Sequence, residues 1–152
     1  LAVNVQTNAG NHGFNFASRY PRADFVCIDT PEARLAGSDK YADVQKLISE
    51  LLPEKIDCDR FIITLGLHGS MTFQRESGKV HRIPAITDQV VDTVGAGDAF
   101  FAVAAPLVLA SGSVELAAFL GNVAGAIKVG IVGHRKAVDK ITLTKFINAV
   151  LK

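Results

Sequence analysis

The sequence predicts a three-layer α/β domain built on a mainly parallel, Rossmann-like sheet. Three observations carry this. Two apolar runs, Ala23 to Ile28 and Arg60 to Gly66, are continuous rather than alternating, as strands covered on both faces are. Between them Asp39 to Leu52 has a helical apolar period. After them come two long apolar helical patterns, one from Gly97 onward and one from Ser113 to Gly130.

The whole chain bounds the rest. At 152 residues it has the length of one domain, enough to bury a sizeable core. Sixteen basic against fifteen acidic residues leave a net charge of +1, with no basic stripe or aromatic ladder, so no nucleic-acid partner is expected. Cys27 and Cys58 lack CxxC spacing and read as buried, reduced thiols of a cytoplasmic protein. The run Ala99 to Ala110 is too short to cross a bilayer, and Val114 to Val132 contains Glu115, Asn122 and Lys128, so no membrane span is expected.

Taken in order, Leu1 to Gln6 reads as a short buried strand, and Thr7 to Gly13 as a polar turn. Phe14 to Tyr20 predicts a short helix stopped by Pro21. The strand Ala23 to Ile28 ends at Asp29-Thr30-Pro31-Glu32, where Thr30 and Pro31 suit a helix start. Asp29 and Glu32 are also the charges that a helix N-terminus favours. The next helix places Val44, Leu47, Ile48, Leu51 and Leu52 on one stripe and is expected to close at Pro53. Arg60 to Gly66 is a second buried strand, Gly66 to Ser70 turns, and Met71 to Arg75 alternates like a hairpin arm. Val80 to Pro84 adds a further strand. The helix from Gly97 carries Pro106, which predicts a kink. Thr142 to Leu151 is a final amphipathic helix. His12 and His68 read as solvated loop residues.

Asp92-Thr93-Val94-Gly95-Ala96-Gly97-Asp98-Ala99-Phe100 carries the chemistry. Two glycines flank a small residue where a helix should begin, so backbone N–H groups can point outward at the positive helix end. Asp98 follows at once. A carboxylate is a poor ligand for a phosphate but a good base for a hydroxyl that attacks one. The string is no dinucleotide fingerprint: Phe100 stands where a third glycine would, and the acid is immediate rather than about 20 residues on.

These nine residues resemble the signature of the ribokinase-like family of sugar and nucleoside kinases. The resemblance implies that Asp98 is the catalytic base, that Gly95, Ala96 and Gly97 form an anion hole, and that ATP with Mg²⁺ is the donor. It places Thr93 on the nucleotide side and makes Asp92 a holder of a monovalent cation such as K⁺, helped by carbonyls of Val132-Gly133-His134. Thr64-Leu65-Gly66-x-x-Gly69 resembles the family's second nucleotide element, giving Thr64, Gly66 and Gly69 as cofactor-binding candidates. Asn122 is the candidate beside adenine, although Gly121 to Ala126 also reads as a small-residue packing face. The family's Asn-x-x-Glu, tied to metal and phosphate, appears with Asp29 for the Asn and Glu32 for the Glu. Asn4 or Gln6 takes the family's polar place at the end of the first strand, or else belongs to a structural loop.

Family members run to about twice this length by resemblance, so the chain is expected to be the C-terminal, nucleotide-binding half of a longer kinase. The acceptor is expected to be a sugar or sugar phosphate. A likeness of Asp24 to Leu35 and of Asp92 to Gly133 favours the hexose or heptose-phosphate kinases of envelope sugar synthesis. Association with the other half, or self-association, is a further expectation. A non-catalytic nucleotide-binding regulatory domain and an interaction domain without ligand are the other readings.

Overall fold

A computed structural model describes residues 1–152 other than Ala9, Asp88, His134 and Arg135. One five-stranded sheet has the order β1 (Ala2–Val3), β2 (Phe25–Asp29), β3 (Arg60–Thr64), β4 (Ser70–Gln74), β5 (Lys79–Ile83). Strands β1, β2 and β3 run parallel, and β4 and β5 continue the sheet as an antiparallel hairpin. The sheet is therefore mixed, with its parallel part first. Between β3 and β4 lies a single 3-10 turn, Gly66–His68, far too short for the crossover that a parallel neighbour needs.

Alternation along the parallel strands sorts two cores. Val26, Ile28, Phe61 and Ile63 face one side, where they meet Ala33, Ala36, Leu47, Ile48 and Leu52. Phe25, Cys27 and Ile62 face the other, against Phe100, Ala104, Val108, Val114 and Ala118. The first layer is α1 (Thr30–Gly37), α2 (Val44–Lys46) and α3 (Leu52–Lys55), with one π-helical segment, Leu47–Leu51, joining the last two. The third is α4 (Ala96–Ser111) with α5 (Val114–Val129), and α6 (Lys140–Val150) lies against α5. This is the three-layer α/β arrangement expected. Among the described residues no helix is long and apolar enough to cross a membrane.

Several boundaries differ from expectation. The helix after Asp39 starts only at Val44, because Asp39 Oδ1 accepts from the amides of Tyr41 and Ala42 (both 2.9 Å) in a turn. Asp43 then caps the helix, accepting from Lys46 N at 3.0 Å. Pro53 does not close it: the helical path continues to Lys55. A proline ring collides with the carbonyl four residues back, here Ser49, and the wider π turn of Leu47–Leu51 surrounds that carbonyl. The helix expected at Phe14 to Tyr20 shrinks to the 3-10 turn Ala17–Arg19, with Phe14 exposed. Helix α4 continues through Pro106, which is exposed together with Ala102, the residue whose carbonyl loses its donor. Water can serve that carbonyl.

Candidate active site

The site is assembled at the carboxyl ends of the parallel strands, the edge where open α/β sheets place their ligands. Asn4 follows β1, and its Nδ2 donates to the Cys27 carbonyl at 2.8 Å. Asp29 and Thr64 end β2 and β3 and are register partners. Thr30 Oγ1 donates to the Thr64 carbonyl at 3.3 Å, joining the first turn of α1 to the end of β3.

The start of α4 faces these strand ends. Gly95 is the N-cap at φ 76°, a left-handed conformation that a side chain would strain. Asp92 Oδ1 accepts from Val94 N at 2.9 Å and shapes the approach. Of the three residues expected to form the anion hole, Ala96 turns its amide back to the Thr93 carbonyl at 3.2 Å. The outward donors of the first turn are thus those of Gly97 and Asp98, which no carbonyl among the described residues accepts. Gly97 is the telling position. Its φ is not positive, and a Cβ built there would meet nothing within 4 Å. Neither backbone geometry nor packing requires glycine, which costs about 1 kcal/mol against alanine in a helix. The space over Gly97 is open and borders two cavities.

Two cavities adjoin at this point. One, of about 540 Å³, is lined by Thr64, Gly66, Gly69, Thr93 and Asn122, all five residues expected to bind the cofactor, and by Ala96 and Gly97. That volume lies in the range of small-molecule sites. The other, of about 420 Å³, is polar and is lined by Asn4, Gln6, Asn15, Glu32 and Asp98. Asp29, Thr64 and Gly97 border both. Exposed Asp98 therefore stands on one cavity with the open amide of Gly97 on the boundary between the two.

Not every expected residue is placed by a ligand's needs alone. Asn122 is buried and donates through Nδ2 to the carbonyls of Ile83 (3.3 Å) and Pro84 (3.0 Å), holding the end of β5 to α5. Gly69 has a structural duty: at φ 86°, a Cβ there would lie 2.1 Å from the Ile83 carbonyl oxygen. Asp92 lines neither cavity, and its Oδ2 accepts from Gly133 N at 2.7 Å. His134 lies outside the described residues. His12 and His68 are exposed, as expected.

Glu32 and Asp29 form a complete capping box. Asp29 Oδ1 accepts from Glu32 N at 2.8 Å, and Glu32 Oε2 accepts from Asp29 N at 2.9 Å. Glu32 Oε1 also accepts from Thr7 N at 3.1 Å. Burial raises the Glu32 carboxyl above its ordinary value of 4.5, opposed in part by the Asp29 and Thr7 amides. A carboxyl raised on folding stabilises the fold below its unfolded value, and that contribution is lost as pH rises through the folded value. Glu32→Gln is expected to remove this part of the fall in stability above pH 4.5, as urea midpoints at several pH values would show. An unchanged slope would contradict it.

The first residue that sequence reasoning missed is Lys128. It is buried near the end of α5, with Nζ donating to the Gly133 carbonyl. The available signal was a single basic residue in a mostly apolar helix, Lys128 being the one Lys or Arg of α5. The second is Thr7, whose amide reaches Glu32 across 25 residues, with no sequence signal.

The pattern of the pfkB family carbohydrate kinases matches residues 14–141. The chain belongs to that family. Relatives of this pfkB chain include the bifunctional protein HldE of Geobacter metallireducens, 35% identical over 122 residues that cover 78% of this chain and 24% of the relative. That of Pelobacter propionicus is 28% identical over 135 residues, covering 88% and 27%. The chain thus spans about a quarter of the length of these relatives. Among solved pfkB-like structures, adenosine kinase from Sinorhizobium meliloti is 29% identical with a TM-score of 0.67, over 84% of this chain and 36% of that one. Phosphofructokinase-2 from Escherichia coli, solved with potassium, shares the fold at 18% identity and a TM-score of 0.75, over 90% of this chain and 44% of that one.

Proposed function

We propose that this chain is the nucleotide-binding and catalytic portion of an ATP-dependent carbohydrate kinase. It would transfer the γ-phosphoryl group to a hydroxyl of a sugar or sugar phosphate. The observation that carries this is the empty place over Gly97, beside two open amides and next to Asp98, on the border of two cavities. The larger cavity has the size and walls for a nucleotide. The smaller one, lined by amides and carboxylates, suits hydroxyl groups.

In this reading Asp98 takes the proton of the acceptor hydroxyl as that oxygen bonds to phosphorus and the bond to the β-phosphate oxygen breaks. The Gly97 and Asp98 amides, aligned with the positive end of α4, stabilise charge on the transferring group without rearranging. Thr64 and Thr93 offer hydroxyls to the nucleotide, and Gly66 leaves the approach open. Asp29 borders both cavities and Glu32 the smaller one, and their capping box fixes each against the other. Mg²⁺ would supply neutralisation of the phosphates. Such an ion is commonly held through one or two carboxylates together with phosphate oxygens and water. Asp29, Glu32 and Asp98 share the smaller cavity and are donors of that type.

Titration of the full-length protein with Mg²⁺ and a non-hydrolysable ATP analogue tests the placement. Gly97→Asp is expected to abolish binding, because it sets a carboxylate where phosphate would lie, while thermal unfolding stays close to that of the parent. Equal binding by the variant would place the nucleotide elsewhere.

A further inference from the structure

We infer that Lys128 supplies, from within the chain, the positive charge that a monovalent cation would bring to the loop beneath the anion cradle, so that the site does not depend on K⁺. The functional consequence rests on the kinase reading above; the contacts belong to the fold.

Lys128 is only 6% exposed. Lysine is almost never so buried unless it is paired. Its Nζ donates to the carbonyl of Gly133. The amide of that same glycine, at φ 56°, donates to Asp92 Oδ2 at 2.7 Å. Asp92 Oδ1 in turn holds Val94 N at 2.9 Å, and the amides of Val91 and Asp92 donate to the Val129 carbonyl at 2.9 and 3.0 Å. From there the chain passes through the Ala96–Thr93 bond into Gly97 and Asp98. The ammonium therefore holds the turn after α5, and the Gly133 amide ties that turn to the loop that aims the cradle. It also sits at the carbonyl end of α5, where the helix favours a cation.

A dissolved cation at Asp92 would need the carbonyl and carboxylate oxygens of these two loops. Lys128 already holds the Gly133 carbonyl, and Gly133 already donates to the carboxylate. Among the described residues, a K⁺ ion sharing the Gly133 carbonyl would meet the ammonium's charge at close range, and that repulsion opposes holding both. The residues fit a tethered substitute. Lys128 is thus a positioning residue: it touches neither cavity lining and acts through Gly133 and Asp92.

The test compares the full-length wild type with Lys128→Ala and Lys128→Met, each in KCl and in tetramethylammonium chloride at equal ionic strength. Two quantities are read: hydrogen exchange of the 91–98 amides, and affinity for the non-hydrolysable ATP analogue with Mg²⁺. The wild type is expected to behave alike in both salts. In tetramethylammonium both variants should exchange faster at 91–98 and bind nucleotide more weakly, on the order of tenfold, the worth of one charge-assisted hydrogen bond. KCl should restore only the alanine variant, which leaves room for the ion. A wild type whose protection or affinity rises with K⁺ overturns the inference. So do variants that match the wild type in tetramethylammonium, or an alanine variant that KCl fails to restore. If neither variant folds, the two-salt comparison on the wild type decides alone. A wild type that binds no nucleotide in either salt removes the kinase reading, and the exchange data still judge Lys128.

Discussion

Asp98→Asn is expected to lower turnover by a factor on the order of 10²–10⁴ while leaving nucleotide affinity nearly unchanged, the range for losing a general base. Asparagine keeps the shape of the side chain in the first turn of α4 and leaves the amides of residues 97 and 98 in place. It cannot take a proton. The expected pattern is therefore a fall in kcat with little change in KM for ATP, the signature of an interaction made in the transition state. Gly97→Asp should show the opposite split, with binding lost first. Steady-state kinetics on the full-length protein with a panel of sugars would read both. Full activity of Asp98→Asn would sink the assignment of the base, whatever the nucleotide does.

Gly69→Ala is the substitution expected to harm the fold most for the fewest atoms. At φ 86° an added methyl carbon would lie 2.1 Å from the Ile83 carbonyl oxygen and 2.6 Å from both Ala85 N and Pro84 C. All three neighbours are backbone, so no rotamer change relieves the clash, and the positive φ adds strain of its own. A loss on the order of 3 kcal/mol is expected. Gly66 provides the control: it too has positive φ, at 58°, but nothing lies within 4 Å of its would-be Cβ. Gly66→Ala should cost only the left-handed penalty, about 1–2 kcal/mol. Urea unfolding of the two variants separates them, and equal losses would refute the close approach of the segment after β5. Because Gly69 also walls the larger cavity, its variant should weaken nucleotide binding as well.

The strands were legible because burial on both faces leaves a plain mark: Phe25 to Ile28 and Phe61 to Ile63 are apolar at every position. The start of α4 was legible because its chemistry is local, written in consecutive residues. The caps at Asp43 and Asp139 decide where α2 and α6 begin, but a capping residue is recognisable only once the turn before it is known. Pro53 misled because its usual effect, ending a helix, is cancelled by a π turn that no composition signals. The reasons for particular residues were hidden where the partner is distant. Gly69 reads as a ligand turn, while its strictest demand comes from Ile83. Glu32 reads as a metal or phosphate residue, and the fold also uses both of its oxygens for backbone amides. Lys128 reads only as a charge that argues against a membrane span, since its partners arrive through the turn after α5.

Helices α4 and α5 meet where Phe100 covers Gly121, and a Cβ at 121 would lie 2.9 Å from three carbons of that ring. The two helices can slide past each other only by giving up this contact. Gly97 on α4 and Asn122 on α5, which both line the larger cavity, therefore keep their separation before any ligand arrives. In binding terms, the entropic cost of bringing the two groups of contacts together is met when the chain folds, not when the nucleotide enters. A ligand that contacts both helices should then bind without drawing them together.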